Sequence, residues 1–229
     1  MAAELPAGAG ARGAAFFDLD GTLIPFNSGV RFARSEYRDK RISRLQLAQS
    51  AVWMALYRFS LVDMTRAYEK ALDHYRGVPA RELDDRTRAW FADEIAEALL
   101  APAREAIAAH RAAGDALVLL SSTSSYLATV VSEVWGLDHW LANIFPTDAE
   151  GRLTGHFEAP LCYGPGKLER ARAWATAHGV DLARSAYYGD SLSDAPMLAA
   201  VGSPYAVNPD PRLRRLARRR GWPILDWAR

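Results

Sequence analysis

The sequence places two aspartates, Asp18 and Asp20, one residue apart and directly after a short apolar run at residues 14–17. If that run is a β-strand, both side chains leave its end on the same side, because residues i and i+2 of an extended chain face the same way. Two adjacent carboxylates are stable there only if a cation lies nearby or if one of them binds a proton. Gly21 then permits a sharp turn, and Thr22 offers a hydroxyl group and a main-chain amide. The pair therefore predicts a site that a cation completes.

Further polar residues follow other short apolar runs. Ser121 precedes several more hydroxyl residues, at the predicted start of a helix whose free N–H groups suit an anion. Asp190 follows another run, Asp194 lies one helical turn later, and Lys167 lies near the start of a further helical pattern. Oxygen ligands without clustered histidine or cysteine favour Mg²⁺, which binds a few carboxylates together with substrate phosphate. These residues predict a magnesium site that binds a phosphoryl group.

The residues must be positioned by strands that end at one edge of a sheet. Apolar runs that end abruptly in polar residues and alternate with helical patterns occur at 14–17, 116–120, 186–189 and 205–207. Strands that are apolar on both faces indicate a parallel sheet covered by helices on each side. Ligands bind such sheets outside the carboxyl ends of the strands, which is where the polar residues are expected to meet.

Helical patterns fill most of the remaining chain. The spacing of apolar residues predicts helices over 102–114 and 167–179 and another after residue 125. Asp194 is placed to cap one more helix. Residues 25–100 contain helical patterns without a strand run, so they predict an inserted helical cap. The predicted fold class is α/β with a mainly parallel sheet and an all-helical insertion.

Taken in order, four segments resemble the motifs of the haloacid dehalogenase superfamily: Asp-Leu-Asp-Gly-Thr-Leu at 18–23, Ser121, Lys167, and Gly-Asp-Ser-Leu-Ser-Asp at 189–194. The helical insertion is similar to the cap of the phosphoserine-phosphatase-like branch of that superfamily. The resemblance spans roughly residues 14–227. It implies a discontinuous Rossmann-like α/β/α core of three layers and a helical cap, with boundaries at 1–24 and 101–229 for the core and at 25–100 for the cap.

The resemblance also implies a role for each residue. Asp18 would be the nucleophile that forms an aspartyl-phosphate, and Asp20 would protonate the leaving alcohol and then deprotonate the attacking water. The implied phosphate-binding residues are Thr22, Ser121, Ser122 and Lys167. The implied metal ligands are Asp18, Asp20, Asp190 and Asp194. Two points stay open: Thr123 is a possible helper among the hydroxyls of residues 121–125, and Asp194 is either a direct ligand or only a support and helix cap.

The expected function is Mg²⁺-dependent hydrolysis of a small phosphate monoester. Phosphoserine phosphatases carry a glutamate nine residues after the nucleophile to bind the substrate ammonium, and here that position is Asn27. Phosphoserine is therefore not the expected substrate, and histidinol phosphate, sugar phosphates and lysolipid or glycerol phosphates are candidates. Specificity is expected to lie on residues 25–100 and in a predicted hairpin at 148–157. A phosphotransferase and a non-catalytic phosphate-binding module are the alternatives.

Composition excludes several other classes of protein. The 229 residues have a formal net charge of +1, so the basic run at 212–221 predicts a solvated helix face and no nucleic-acid partner. The single cysteine, Cys162, excludes an internal disulfide. We expect a cytoplasmic protein without a membrane span, because the first thirteen residues lack the apolar run of a signal peptide. The apolar stretch 45–62 predicts a cap helix or, alternatively, a lipid-facing groove. The oligomeric state is left open.

Overall fold

A parallel β-sheet forms the centre of the computed structural model, which describes residues 13–45, 47–48 and 64–228. Its six strands lie in the order β3-β2-β1-β4-β5-β6, and every neighbouring pair is parallel. The strands are β1 (Ala14–Phe17), β2 (Ala116–Ser124), β3 (His139–Asn143), β4 (Ala186–Gly189), β5 (Ser203–Val207) and β6 (Ile224–Leu225). The four predicted strands are present, and β3 and β6 are additions that the sequence did not predict.

Strand β1 shows why the sheet is covered on both faces. All four of its side chains are buried. Ala15 and Phe17 face one apolar cluster and Ala14 and Phe16 face another, as the two-residue period of a strand requires. A strand without a solvent-facing side needs helices above and below the sheet, and this confirms the predicted parallel α/β arrangement.

The helices are α1 (Ser28–Arg38), α2 (Met64–Leu72), α3 (Ala80–Glu94), α4 (Ala101–Ala113), α5 (Ser125–Trp135), α6 (Pro165–His178), α7 (Ala195–Leu198) and α8 (Pro211–Arg220). Short 3₁₀ turns occupy Asp73–Tyr75, Leu182–Arg184 and Leu192–Asp194. The predicted helices at 102–114 and 167–179 correspond to α4 and α6 with small shifts of their ends. Helix α6 stops at Gly179, whose φ of 64° suits a residue without a side chain.

The helices form a layer on each face of the sheet. Helices α4 and α5 pack on one face, where Ile107 and Val131 join the cluster of Phe17. Helices α6 and α8 pack on the other face, where Trp174 and Leu213 join the cluster of Phe16. The result is the Rossmann-like α/β/α sandwich of three layers that was expected.

The described part of residues 25–100 contains α1, α2, α3 and a 3₁₀ turn and has no strand among the named elements. Trp90 and Phe91 of α3 belong to the same apolar cluster as β1 and β2, so this segment packs directly on the core. The division into a core of residues 1–24 and 101–229 and a cap of residues 25–100 stays our interpretation. Residues 1–12 and most of the stretch 45–62 lie outside the described residues.

The predicted hairpin at 148–157 is a tight turn rather than a pair of strands. An isolated antiparallel bridge joins Thr147 to Leu153. Main-chain hydrogen bonds then tie the turn to the end of the 3₁₀ segment and the start of α3, from Gly77 N to Leu153 O at 2.8 Å and from Ala80 N to Gly151 O at 2.9 Å. Within the described residues, no helix is both long enough and apolar enough to cross a bilayer.

Candidate active site

Three carboxylates meet at the carboxyl edge of the sheet. Asp18 directly follows β1, and its main-chain N–H donates to the carbonyl of Tyr188 in β4 at 2.9 Å, which extends the sheet by one residue. Asp190 follows β4, and Asp194 closes the 3₁₀ turn after it. One oxygen from each of Asp18, Asp190 and Asp194 lies within 4.8 Å of the other two. Strands distant in sequence thus bring together three of the four aspartates that the sequence singled out, and the Asp20 carboxylate is not part of this cluster.

Lys167 lies in the first turn of α6 and is almost completely buried among these groups. Its Nζ atom is 3.0 Å from Asp18 Oδ2 and 2.8 Å from Asp194 Oδ1. It also donates to the hydroxyl of Tyr187 at 3.2 Å, and that hydroxyl donates to Asp194 Oδ1 at 2.7 Å. Among the described residues, one ammonium thus lies beside a cluster of three carboxylates, so the cluster is short of positive charge.

The pKa values reflect that imbalance. Burial raises the pKa of Asp18 to about 7, Lys167 opposes this increase, and the charges of Asp194 and Asp20 add to it. Desolvation, together with Asp194 and Asp18, also raises the pKa of Asp190 well above its usual range. A divalent cation would offset both shifts, because its charge stabilises the ionised carboxylates. The cluster consists of carboxylates alone, which is the donor set that Mg²⁺ prefers, so these residues fit the ion.

Asp20 lies on the other side of the turn and lines a cavity. Its Oδ1 atom accepts a hydrogen bond from the main-chain N–H of Ser28, the first residue of α1, at 2.9 Å. Burial raises the pKa of Asp20 to about 6, and the hydrogen bond from Ser28 limits the increase. Gly21 follows Asp20 and lies against Asp190. It has a φ of 74°, and a Cβ at this position would overlap the Asp190 carboxylate. The turn needs glycine for both reasons.

The predicted phosphate-binding hydroxyls lie near the same edge, with one correction. Thr22 is fully buried, and its Oγ1 atom has no hydrogen-bond partner within the part of the chain that the structure describes. Ser121 is buried, and its Oγ atom accepts from the N–H of Thr123 at 3.3 Å. The expectation that Ser121 begins a helix is wrong, because β2 continues to Ser124. Ser122 is partly buried and lines the same cavity as Asp20.

The longer strand has a physical cause. Ser124 pairs with Asn143 of β3 after a shift in register, and this pairing holds the hydroxyl-rich segment in the sheet. The hydroxyl that caps α5 is therefore Ser124 Oγ, which accepts from Leu127 N at 3.3 Å. Asp194 was expected to cap α7, but its side chain makes no capping hydrogen bond to that helix. Its carboxylate instead accepts from Lys167, from Tyr187 and, at 3.2 Å, from the N–H of Ser191.

Two residues of the site were missed by sequence reasoning. Tyr187 lies in an apolar strand and gave no signal that its hydroxyl would reach Asp194. Asn143 is fully buried, donates to the carbonyl of Ser122 at 2.8 Å and accepts from Cys162 N at 2.8 Å. Asn143 comes at the end of the short run 139–143, and a polar residue in that position could have indicated a site. This run was not recognised as a strand from the sequence.

Comparisons with known proteins show which proteins this chain resembles. A solved structure of a protein with unknown function from Bordetella pertussis Tohama I superposes with a TM-score of 0.85 at 31% identity, over 95% of this chain and 100% of that one. A protein from Streptomyces azureus named "Inhibition of morphological differentiation protein" is 36% identical over 95% of this chain and 79% of its own length.

Two further relatives carry the names of phosphatases. "Phosphoserine phosphatase SerB1" from Mycobacterium tuberculosis is 34% identical over 93% of this chain and 70% of its own length. "Histidinol-phosphatase" from Neisseria meningitidis is 28% identical over 93% of this chain and 98% of its own length. The family model described as "haloacid dehalogenase-like hydrolase" matches residues 15–199. This chain therefore belongs to the haloacid dehalogenase-like hydrolases, on the phosphoserine-phosphatase-like branch.

Proposed function

We propose that this phosphatase hydrolyses small phosphate monoesters with Mg²⁺ through an aspartyl-phosphate formed on Asp18. The observation that carries the proposal is the placement of Asp18. Its carboxylate lies within 4.8 Å of those of Asp190 and Asp194 and 3.0 Å from the ammonium of Lys167. Such a site can align a phosphoryl group and neutralise its oxygens, and phosphoryl transfer needs little else from a protein.

The reaction would proceed in two displacements. In the first, a carboxylate oxygen of Asp18 forms a bond to phosphorus, the bond from phosphorus to the ester oxygen breaks, and Asp20 gives its proton to the departing alcohol. In the second, Asp20 takes a proton from water, the water oxygen bonds to phosphorus, and the bond to Asp18 breaks to release phosphate. A pKa of about 6 allows Asp20 to hold and release a proton near neutral pH. Lys167 favours the ionised form of Asp18 that the first displacement needs.

The ion and the phosphoryl group would use different parts of the site. Asp18 and Asp190 would hold Mg²⁺ together with the main-chain carbonyl of Asp20, and Asp194 would support them. The bound ion supplies neutralising charge for the phosphoryl oxygens. Lys167, Ser121, Ser122 and Thr22 would bind those oxygens. The buried Thr22 hydroxyl supports this assignment, because it lacks a partner among the described residues and a buried hydroxyl without one is costly.

The test is phosphate release from p-nitrophenyl phosphate by the purified protein, in MgCl₂ and in EDTA. We expect turnover only with the metal, and a loss of at least roughly a thousandfold in the Asp18→Asn variant, since removal of a nucleophile has effects of this size or larger. Asp85→Asn is the matched control, because Asp85 is an exposed aspartate on α3. Full activity of Asp18→Asn would refute the proposal.

Phosphoserine is a poor candidate substrate on structural grounds. Asn27 is the N-cap of α1, and its Oδ1 atom accepts from Val30 N at 2.9 Å. The amide carries no charge and its oxygen is occupied, so it cannot replace a carboxylate opposite an ammonium. One relative is named a phosphoserine phosphatase and another a histidinol-phosphatase. Of these two compounds, we propose that histidinol phosphate is the better substrate for this chain.

The Asn27→Asp variant tests this preference directly. Aspartate caps helices as well as asparagine does, so α1 should be retained while a negative charge is added. We expect kcat/KM for phosphoserine to rise relative to that for p-nitrophenyl phosphate. The preference is wrong if the natural sequence already turns over phosphoserine faster than histidinol phosphate.

A further inference from the structure

A cavity of about 570 Å³ opens beside Asp20 and follows one face of α1. The helix residues that line it are Ser28, Gly29, Phe32, Ala33 and Glu36. This spacing is that of a single helix face. With a rise of about 1.5 Å per residue, the eight steps from the first to the last of these residues extend roughly 12 Å. The cavity is therefore elongated, and its near end is the catalytic end, where Ser122 and Thr123 lie in the wall.

The walls between the two ends are mostly apolar and aromatic. Phe32 and Trp90 pack edge to face with ring centroids 5.1 Å apart, and both line the cavity. Leu83 also lines the cavity, as do Tyr68 and Phe145, whose ring centroids lie 6.3 Å apart. Burial of apolar ligand surface against a wall of this composition is favourable, because that surface is removed from water. A serine side chain would leave most of the wall uncovered.

The far end is closed by a charged group that is already neutralised. Glu36 is buried, and its carboxylate lies 3.3 Å from Arg86 and 3.6 Å from Arg41. Other charged lining residues, including Lys70 and Asp73, are at exposed positions. The middle of the cavity therefore offers hydrophobic contact rather than an ionic partner for a substrate amine.

We propose that the preferred substrate is a phosphate monoester whose alcohol carries an extended apolar chain, lying along α1 between Asp20 and Glu36. This inference rests on the proposed phosphatase function and names the class of substrate for the same site. With carbon–carbon bonds of about 1.5 Å, a chain of about eight carbons spans roughly 10 Å, which fits within the roughly 12 Å of the α1 face. An alkyl and an aryl chain share this chemistry, and separate substrates distinguish them.

The experiment measures kcat/KM for ethyl, butyl, hexyl and octyl phosphate in MgCl₂, with phenyl and biphenyl phosphate as the aryl series. Phosphoserine, histidinol phosphate and p-nitrophenyl phosphate serve as references. We expect kcat/KM to rise up to about fourfold per added methylene, the factor that full burial of one CH₂ group implies. Hexyl and octyl phosphate should exceed phosphoserine and histidinol phosphate.

Variants locate the chain in the cavity. Ala33→Trp places an indole in the middle of the α1 face, and Ala71→Phe narrows the cavity from an exposed position on α2. Either variant should lower the ratio of kcat/KM for octyl over ethyl phosphate by at least tenfold. Ala92→Trp is the control, because Ala92 is exposed on α3 and lies outside the cavity lining. Ala71→Phe provides the test if Ala33→Trp does not fold.

The two levels of the proposal fail in different ways. If p-nitrophenyl phosphate is hydrolysed with Mg²⁺ but kcat/KM does not change along either chain series, or if phosphoserine exceeds octyl phosphate, the apolar-chain inference is wrong and the phosphatase function stands. An unchanged octyl-to-ethyl ratio in both cavity variants also overturns the inference. If no phosphate ester is hydrolysed, p-nitrophenyl phosphate included, both proposals fail.

Discussion

Removal of the metal should destabilise the protein more at pH 8 than at pH 5. Without the ion, the described residues place one buried ammonium, that of Lys167, beside the carboxylates of Asp18, Asp190 and Asp194. At pH 5 a proton on Asp18 relieves part of the repulsion, because burial has raised the pKa of this group. At pH 8 the proton is lost and only a divalent cation can replace it. The stability gained from Mg²⁺ should therefore increase with pH.

The magnitude follows from Asp18. Its pKa rises from 3.8 to about 7 on folding, so between these values the unfolded chain binds fewer protons than the folded one, and stability falls as pH rises. At about 1.36 kcal/mol per pKa unit, the ionised folded form is destabilised by about 4 kcal/mol at pH 8. About 3 kcal/mol of this is lost between pH 5 and pH 8. For a chain of this length, that corresponds to a change of roughly 6–12 °C in Tm.

The assay is urea and thermal unfolding at both pH values, in EDTA and in saturating MgCl₂. We expect the protein in EDTA to lose stability from pH 5 to pH 8 and Mg²⁺ to restore most of it. Asp18→Asn should flatten the pH dependence in EDTA and raise the free energy of unfolding at pH 8, whereas Asp85→Asn should behave as the natural sequence. Equal stability of the metal-free protein at the two pH values, or a Mg²⁺ effect that does not depend on pH, would refute the reasoning.

Four further substitutions separate the roles of the charged groups. Lys167→Met should lower the free energy of unfolding in EDTA at pH 8 by about 3–5 kcal/mol, because it leaves buried carboxylates unpaired. The control Lys40→Met should change this free energy by less than about 0.5 kcal/mol. Similar urea midpoints for the two variants would contradict the prediction. Asp20→Asn should lower kcat by about 10²–10⁴-fold. It should also slow the hydrolysis of the ³²P-labelled phosphoenzyme, measured by acid quench at successive times. Hydrolysis at the normal rate would show that Asp20 does not act in the second displacement. Asp194→Asn should weaken Mg²⁺ binding by about 10–100-fold, measured by calorimetry, and Asp190→Asn should weaken it more; the reverse order would exchange their roles.

The sequence was sufficient for the strands that carry the site. β1 and β4 are four-residue strands buried along their whole length and followed at once by an aspartate. An uninterrupted apolar run with an abrupt polar end is informative because only a strand buried on both faces needs one. The order of Asp18, Lys167 and Asp190 along the chain then indicated that they would meet.

The elements that were not predicted depend on contacts between distant residues. β3 contains a histidine and ends in Asn143, and β6 has two residues, so neither has a periodic pattern of its own. The end of β2 was misplaced because serine and threonine suit a strand, a turn or a helix cap equally well. The pairing of Ser124 with Asn143 selects the strand. A single sequence contains no local sign of that pairing.

The structure also distinguishes two aspartates that the sequence could not tell apart. Asp194 is completely buried and its carboxylate accepts hydrogen bonds from Lys167, Tyr187 and Ser191. The Asp190 carboxylate is partly exposed and accepts no hydrogen bond from the described residues. An oxygen without a protein donor is available to a cation, whereas one that already holds an ammonium and a phenol has little capacity left. We therefore expect Asp190 to bind the metal directly, while Asp194 keeps the Lys167 ammonium at its distance of 3.0 Å from Asp18. In this arrangement, a buried acid that does not bind the metal directly fixes the position of the ammonium that faces the nucleophile.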